Sequence, residues 1–363
     1  MEQDNEKKIR VGISHGDYNG IGYEIILKAF SDERMFDFCT PIVYGSSKLA
    51  AYYKKTIPNC KINFNNIKST NQAVDGKLNI LNIVQDEIKV EAGISTKEAG
   101  ALAFESLEAI TQDIGHGIDV MVTAPINKDN IQSENFNFPG HTEYLAEKFG
   151  KDQELMVLTG ETMNIAVVTG HIPIKDVATT ITKELILKKL EILRNSLKVD
   201  FGILKPRIAV LGINPHAGDN GLLGKEEQEI IIPAIEEAKE NKMLAFGPFP
   251  SDGFFGSSDY TKFDGILAMY HDQGLLPFKS LNFEDGVNFT AGISIIRTSP
   301  DHGTGYNIAA KNVASPSSMR AAILLAVDIF KKRKAHKSLT KNPLKFGKIQ
   351  QGKDVNVDEI EKH

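Results

Sequence analysis

Nine short runs rich in Val and Ile recur along the chain, with longer stretches of helically spaced apolar residues between them. The runs are IRVGIS, TPIVYG, KLNILNI, DVMVTA, ELMVLTG, NIAVVTG, RIAVLGIN, GILAMYH and GVNFTAG. Most are apolar at nearly every position, which is the pattern of a strand buried on both faces. The helical stretches are GIGYEIILKAF, STKEAGALAFESLEAITQDI, KELILKKLEILRNSLKV, KEEQEIIIPAIEEAKEN and SSMRAAILLAVDIFKKRKA. The second opens with S-T-K-E, a capping box with Ser95 as cap and Glu98 as its partner. Strands alternating with helices predict an α/β fold with largely parallel sheets. In such sheets ligands gather at the carboxyl ends of the strands, so the informative residues are those that follow each run.

A chain of 363 residues, 41% hydrophobic, can bury a large core, and its length points to two domains. It shows no internal repeat and no linker that marks a boundary. A net charge of -5 argues against a broad nucleic-acid surface. The two cysteines, Cys39 and Cys60, form no C-x-x-C pair and read as reduced thiols. No apolar run reaches the length of a membrane span, and the polar N-terminus lacks a signal-peptide core. These features predict a soluble cytoplasmic protein. After about Ala335 the sequence turns polar and lysine-rich, as expected of a surface-lying extension.

Three histidines follow apolar runs: His171 after NIAVVTG, His216 after RIAVLGIN, and His271 at the end of GILAMYH. Each alone reads best as a histidine satisfied in a turn. As a set, three neutral imidazoles with an open position make a catalytic divalent-metal site that polarises a substrate oxygen. His141 differs, because it follows Pro139 and Gly140 and precedes a helix expected to open at Thr142. That end suits a phosphate or carboxylate, or Thr142 is simply a cap.

Lys279, Asn288 and Arg297 lie among apolar neighbours, which makes full exposure unnatural. An ammonium and a guanidinium in one cleft would bind an acidic, phosphorylated small molecule. Asp252, after the strand-like LAFGPFP, is either an acid/base carboxylate or a turn and cap residue. Two glycine-rich stretches remain. GDYNGIGYE joins the first strand to the first helix, but lacks the G-x-G-x-x-G dinucleotide spacing. DHGTGYNIAAKNVASPSS is rich in small residues and could let backbone wrap an adenine nucleotide.

Taken in order, GDYNGIGYE, TAPINK, FPGHTEY, VTGHIP, INPHAGDNG, AMYHDQGLLPFK, GVNFTAG and IRTSPDHGT resemble the 4-hydroxythreonine-4-phosphate dehydrogenases of pyridoxal phosphate biosynthesis. The resemblance runs from about Ile9 to Phe330. It implies an isocitrate/isopropylmalate-dehydrogenase-like fold, two α/β domains around a central cleft. One would hold residues 1–128 plus 286–363 and the other residues 129–285. It implies a homodimer with its site at the subunit interface, where a His271-type ligand comes from the neighbour. His171, His216 and His271 would bind one divalent ion, zinc, magnesium or cobalt. His141, Thr142, Lys279, Asn288 and Arg297 would contact substrate, with Lys279 and Asp252 as candidates for proton transfer. His302, Gly303, Thr304, Gly305, Asn307 and Ser315 would contact NAD, in a loop similar to the H-G-[ST]-A-P-D-I-A-G-K-x-x-A-N-P pattern of the wider superfamily.

The implied reaction oxidises 4-phosphohydroxy-L-threonine to a β-keto acid that loses carbon dioxide to give 3-amino-2-oxopropyl phosphate. The chain departs from the family's usual G-D-P-A-G-I-G-P-E at Tyr18, Asn19 and Tyr23, and from the loop pattern at Asn307 and Ser315. Relatives acting on threonate or erythronate 4-phosphate are therefore alternatives. So are a metal-dependent phosphometabolite hydrolase and a non-catalytic binding protein.

Overall fold

A computed structural model describes residues 8–84, 88–150 and 153–342. Twelve strands form a single sheet: β1 (Arg10–Ser14), β2 (Thr40–Gly45), β3 (Phe64–Ile67), β4 (Leu78–Asn82), β5 (Val120–Thr123), β6 (Leu155–Thr159), β7 (Asn164–Val167), β8 (Arg207–Leu211), β9 (Leu244–Phe249), β10 (Gly265–Ala268), β11 (Val287–Ala291) and β12 (Arg297–Pro300). Their order is β3-β4-β2-β1-β5-β12-β11-β6-β7-β10-β8-β9. The α/β architecture expected from the alternation is present. Pairing is parallel except at β12–β11, β11–β6 and β6–β7. That antiparallel suture joins two parallel halves in mid-sheet.

The apolar runs behave as their composition demands. All six residues of β2 are buried, as are all four of β5 and of β10. Helices cover both faces and complete the core, the C-terminal helix Ser317–Thr340 burying Met319, Ala322, Ile323 and Ala326. Helix Lys183–Val199 coincides with its predicted span. The helix predicted from Ser95 instead starts at Lys97, capped by the Thr96 hydroxyl, which accepts from the Ala99 N–H at 3.2 Å. Glu98 then falls one position too early to close a box with its cap. KEEQEIIIPAIEEAKEN is split into a π-helix, Glu227–Ile231, and an α-helix, Ile232–Glu240, with Pro233 in the first turn of the latter. Proline has no N–H to give an α-helical ladder, so it is tolerated only where a new helix begins.

Tyr18, Asn19 and Tyr23 do not loosen the first turn. Tyr23 stacks between His15 and Tyr53, with ring centroids 5.4 and 5.7 Å away, and its hydroxyl accepts from the Ser46 N–H at 2.9 Å. Asn19 Oδ1 accepts from the Glu91 N–H at 2.8 Å, and its amide donates to the Thr96 hydroxyl. Cys39 is buried, which pushes its thiol up to about 12, and Cys60 is likewise free. No helix among the described residues is long and apolar enough to cross a membrane. The C-terminal helix continues through Thr340, and most of the extension expected after Ala335 lies outside the described residues.

Candidate active site

The central suture decides where the site forms. β12 runs parallel to β5, and β11 runs antiparallel to β12 with Asn288 opposite Ser299. The carboxyl ends of β5 and β12 therefore lie beside the start of β11, while β7 and β10 run the other way and end beside its far end, so the two halves meet across the suture from opposite directions. A cavity of about 570 Å³ opens there, lined by His141, Thr142, His171, His271, Lys279, Asn288, Arg297, His302 and Gly303 among others. Nine of the residues predicted from the sequence thus converge.

Arg297 is the first residue of β12 rather than the last of the apolar ISII before it, and it is only 3% exposed. Its guanidinium donates to the hydroxyls of Thr123 (3.0 and 2.7 Å) and Thr290 (3.2 Å). Nη2 also lies 3.3 Å from Nδ1 of His141. None of these partners is an anion. Desolvation lowers the guanidinium's pKa to about 10, so it remains a cation at neutral pH. Glu143 is the opposite charge that acts on it, without a hydrogen bond, so the buried guanidinium keeps donors suited to an anionic ligand.

His141 opens the helix His141–Phe149, with Gly140 rather than Thr142 at the cap position. Burial, then the charges of Arg297 and Lys128, hold its pKa well below the usual histidine value. A neutral ring that accepts from Arg297 at Nδ1 carries its proton on Nε2. That Nε2 is buried without a protein partner, as are Asn288 Oδ1 and His302 Nε2. Three unused polar atoms around one cavity await a polar ligand.

His171 and His271 lie side by side, with ring centroids 5.6 Å apart. His271 opens a helix, His271–Leu281, three residues after β10 ends. The helix sets His271, Leu275 and Lys279 on one face, and eight residues span roughly 12 Å. Nδ1 of His271 is 2.7 Å from Asp272 Oδ1, and Nδ1 of His171 is 3.5 Å from Glu143 Oε1. A carboxylate on Nδ1 orients an imidazole to ligate through Nε2, so the pair suits a divalent ion. Lys128 Nζ stands 3.3 Å from His171 Nε2. Lys279 Nζ is 3.4 Å from Asp301 Oδ1, whose pKa burial raises. Thr123 and Lys128, both within TAPINK, and Glu143, Asp272 and Asp301 join the site without having been among the residues the sequence singles out. Glu143 and Asp272 lie two residues or fewer from residues already singled out.

The remaining predicted residues lie outside this cavity. His216 and Asp252 follow β8 and the edge strand β9, and both are exposed. Among the described residues, no three metal-ligating side chains come together within one chain. His216 begins a five-residue left-handed turn, φ 54, 51, 80, 42 and 57 through Asn220, with Leu222 79% exposed beyond it. Gln273 ties these segments together, donating to Gly212 O at 2.5 Å and Ser251 Oγ at 2.6 Å. Thr304, Gly305, Asn307 and Ser315 continue from the cavity along the first turn of the chain. Gly303 is exposed, and nothing stands within 4 Å of where its Cβ would be, so backbone there is open to a ligand.

Known proteins place this geometry. The family model for the pyridoxal phosphate biosynthetic protein PdxA matches residues 37–326. The chain is 54% identical over 342 residues to a 4-hydroxythreonine-4-phosphate dehydrogenase of Bacteroides thetaiotaomicron, covering 94% of each chain. It is 42% identical to one of a Sulfurihydrogenibium species, covering 90% of this chain and all of that one. The crystal structure of the Klebsiella pneumoniae 4-hydroxythreonine-4-phosphate dehydrogenase superimposes with a TM-score of 0.78 at 32% identity, over 90% of this chain and 99% of that one. The model's span and these likenesses show that the chain belongs to the PdxA family of pyridoxal phosphate biosynthetic proteins.

Proposed function

We propose that the protein oxidises 4-phosphohydroxy-L-threonine with NAD⁺ and a divalent cation. The observation that carries this reading is the buried guanidinium of Arg297, hydrogen-bonded to no carboxylate, in the same cavity as the His171–His271 pair. When bound, NAD⁺ supplies a hydride acceptor and the cation supplies Lewis acidity toward the substrate hydroxyl.

Arg297, with Nε2–H of His141 and the start of helix His141–Phe149, binds the acidic groups of the substrate. Asn288 Oδ1 accepts from a substrate donor. Lys279, held by Asp301, would exchange a proton with the substrate through Nζ, while the hydrogen on the reacting carbon leaves as hydride. Hydride leaves with its electron pair, the hydroxyl proton goes to a base, and the β-keto acid then loses carbon dioxide and regains a proton. His302 and Gly303 face the nucleotide beside this point.

The metal set is completed by a second copy. His171 and His271 already share one cavity, so the ligand drawn from a partner is His216 and not His271. The exposed His216 turn, with Leu222 and Leu223 beyond it, supports that assignment. Asp252, bound into the same edge through Ser251 and Gln273, would travel with it. The two free cysteines support a cytoplasmic setting.

Comparing kcat/KM for 4-phosphohydroxy-L-threonine with that for threonate and erythronate 4-phosphates tests the substrate. The first is expected to lead by at least tenfold, and a lead by either of the others would reassign it.

A further inference from the structure

The turn 16–24 does not line the cavity, yet both its acidic residues are buried. Asp17 is 1% and Glu24 0% exposed. Each reaches the loop 302–316, 289 or 290 positions along the chain. Asp17 Oδ2 accepts from the Tyr306 hydroxyl and from the Asn130 amide, both at 2.7 Å. Desolvation and this carboxylate push the Tyr306 pKa up to about 12, so the phenol keeps the proton it donates. Glu24 Oε1 accepts from the Ala314 N–H at 2.9 Å and from Lys28 Nζ at 2.8 Å. Lys28 Nζ donates in turn to the Ala314 carbonyl at 2.9 Å. Glu24 and Lys28 therefore grip both polar groups of one residue. Between these points the Ile21 N–H donates to the Thr304 carbonyl at 2.9 Å, and a side chain at Gly20 would strike that carbonyl.

The loop has little structure of its own. It contains one short 3₁₀ turn, Tyr306–Ile308, and left-handed residues at Gly305, Ala310 and Asn312. It is held instead at Thr304, Tyr306 and Ala314 by the first turn and the helix Gly22–Phe30 that follows it. A loop fixed in its bound shape loses less freedom when its ligand arrives, so such anchoring raises affinity for that ligand.

We propose that Asp17, Glu24 and Lys28 are positioning residues for the dinucleotide, holding the loop 302–316 in the form that NAD⁺ binds. This rests on the NAD⁺ reading given above. Cofactor affinity would then depend on residues that do not themselves line the cavity, and substrate affinity would not.

Isothermal titration of the full chain with NAD⁺, and separately with 4-phosphohydroxy-L-threonine, tests this in wild type, Tyr306→Phe and Lys28→Met. Hydrogen exchange of the loop amides is followed in parallel. Tyr306→Phe removes one hydroxyl, and Lys28→Met keeps the aliphatic stem, so neither removes core packing. Each is expected to raise the NAD⁺ Kd roughly tenfold or more, the scale of one charge-assisted hydrogen bond, and to speed exchange across the loop. The substrate Kd is expected to stay within about twofold. Wild-type NAD⁺ affinity in both variants would overturn the proposal, as would equal weakening of both ligands. Absence of NAD⁺ binding by the wild type would instead overturn the dehydrogenase reading, and this proposal with it.

Discussion

Nη2 of Arg297 lies 3.3 Å from Nδ1 of His141, both groups being buried in the same cavity wall. Burial first, then the cation's charge, keeps the ring neutral, and the neutral ring offers Arg297 a lone pair but no charge. Binding an anion is what this pair still lacks. Arg297→Met is therefore expected to raise the substrate Kd roughly 10- to 100-fold while the NAD⁺ Kd is unchanged. Replacing a buried charge that hydrogen-bonds no anion by an apolar chain is often neutral or stabilising, so the ligand-free Tm should not fall. Titration and calorimetry of the variant check both halves. An unchanged substrate Kd would remove Arg297 from the site.

Burial lowers the pKa of His15 from 6.5 to about 4, so its ring is neutral in the fold. Between those values the unfolded chain binds a proton that the folded chain does not. The contribution is fully present above pH 6.5 and is lost as pH falls toward 4, in total roughly 3 kcal/mol. His141 acts in the same direction. Urea unfolding at pH 7.5 and 4.5 is expected to show a smaller pH dependence in His15→Asn than in wild type. Equal dependence in both would show that His15 is protonated in the fold.

Apolar runs made the sheet legible in the sequence, and its two unread strands show why reading stops. β3 is FNNI, with two asparagines, and β12 is RTSP, with Arg297 and Ser299 lining the cavity. A central strand that serves a site gives up the apolar pattern by which strands are found. The histidines were legible because each follows a strand. Their grouping was not, because it depends on which loops fold inward: His171 and His271 meet, whereas the left-handed turn at His216 leaves that residue on the exposed edge. Glu143 and Asp272 carry no signal of their own, since a carboxylate beside a histidine is ordinary until the ring needs orienting.

Subunit mixing separates the possible metal sets. His171→Ala and His216→Ala are each expected to be inactive alone. In a mixed dimer one site collects both defects and the other none. Random mixing makes about half the dimers mixed, so roughly a quarter of wild-type activity should return. His171→Ala with His271→Ala should recover nothing, because those ligands come from one chain. The reverse pattern, with subunit exchange verified, would assign His271 to the partner.

The most direct measurement follows absorbance at 340 nm and released carbon dioxide together, with 4-phosphohydroxy-L-threonine, NAD⁺ and a divalent cation. NADH and carbon dioxide are expected in a one-to-one ratio, with both lost on exhaustive chelation and restored by metal. Release of inorganic phosphate without NADH would contradict the account and make the protein a hydrolase. Binding of the substrate with no product at all would contradict it as well.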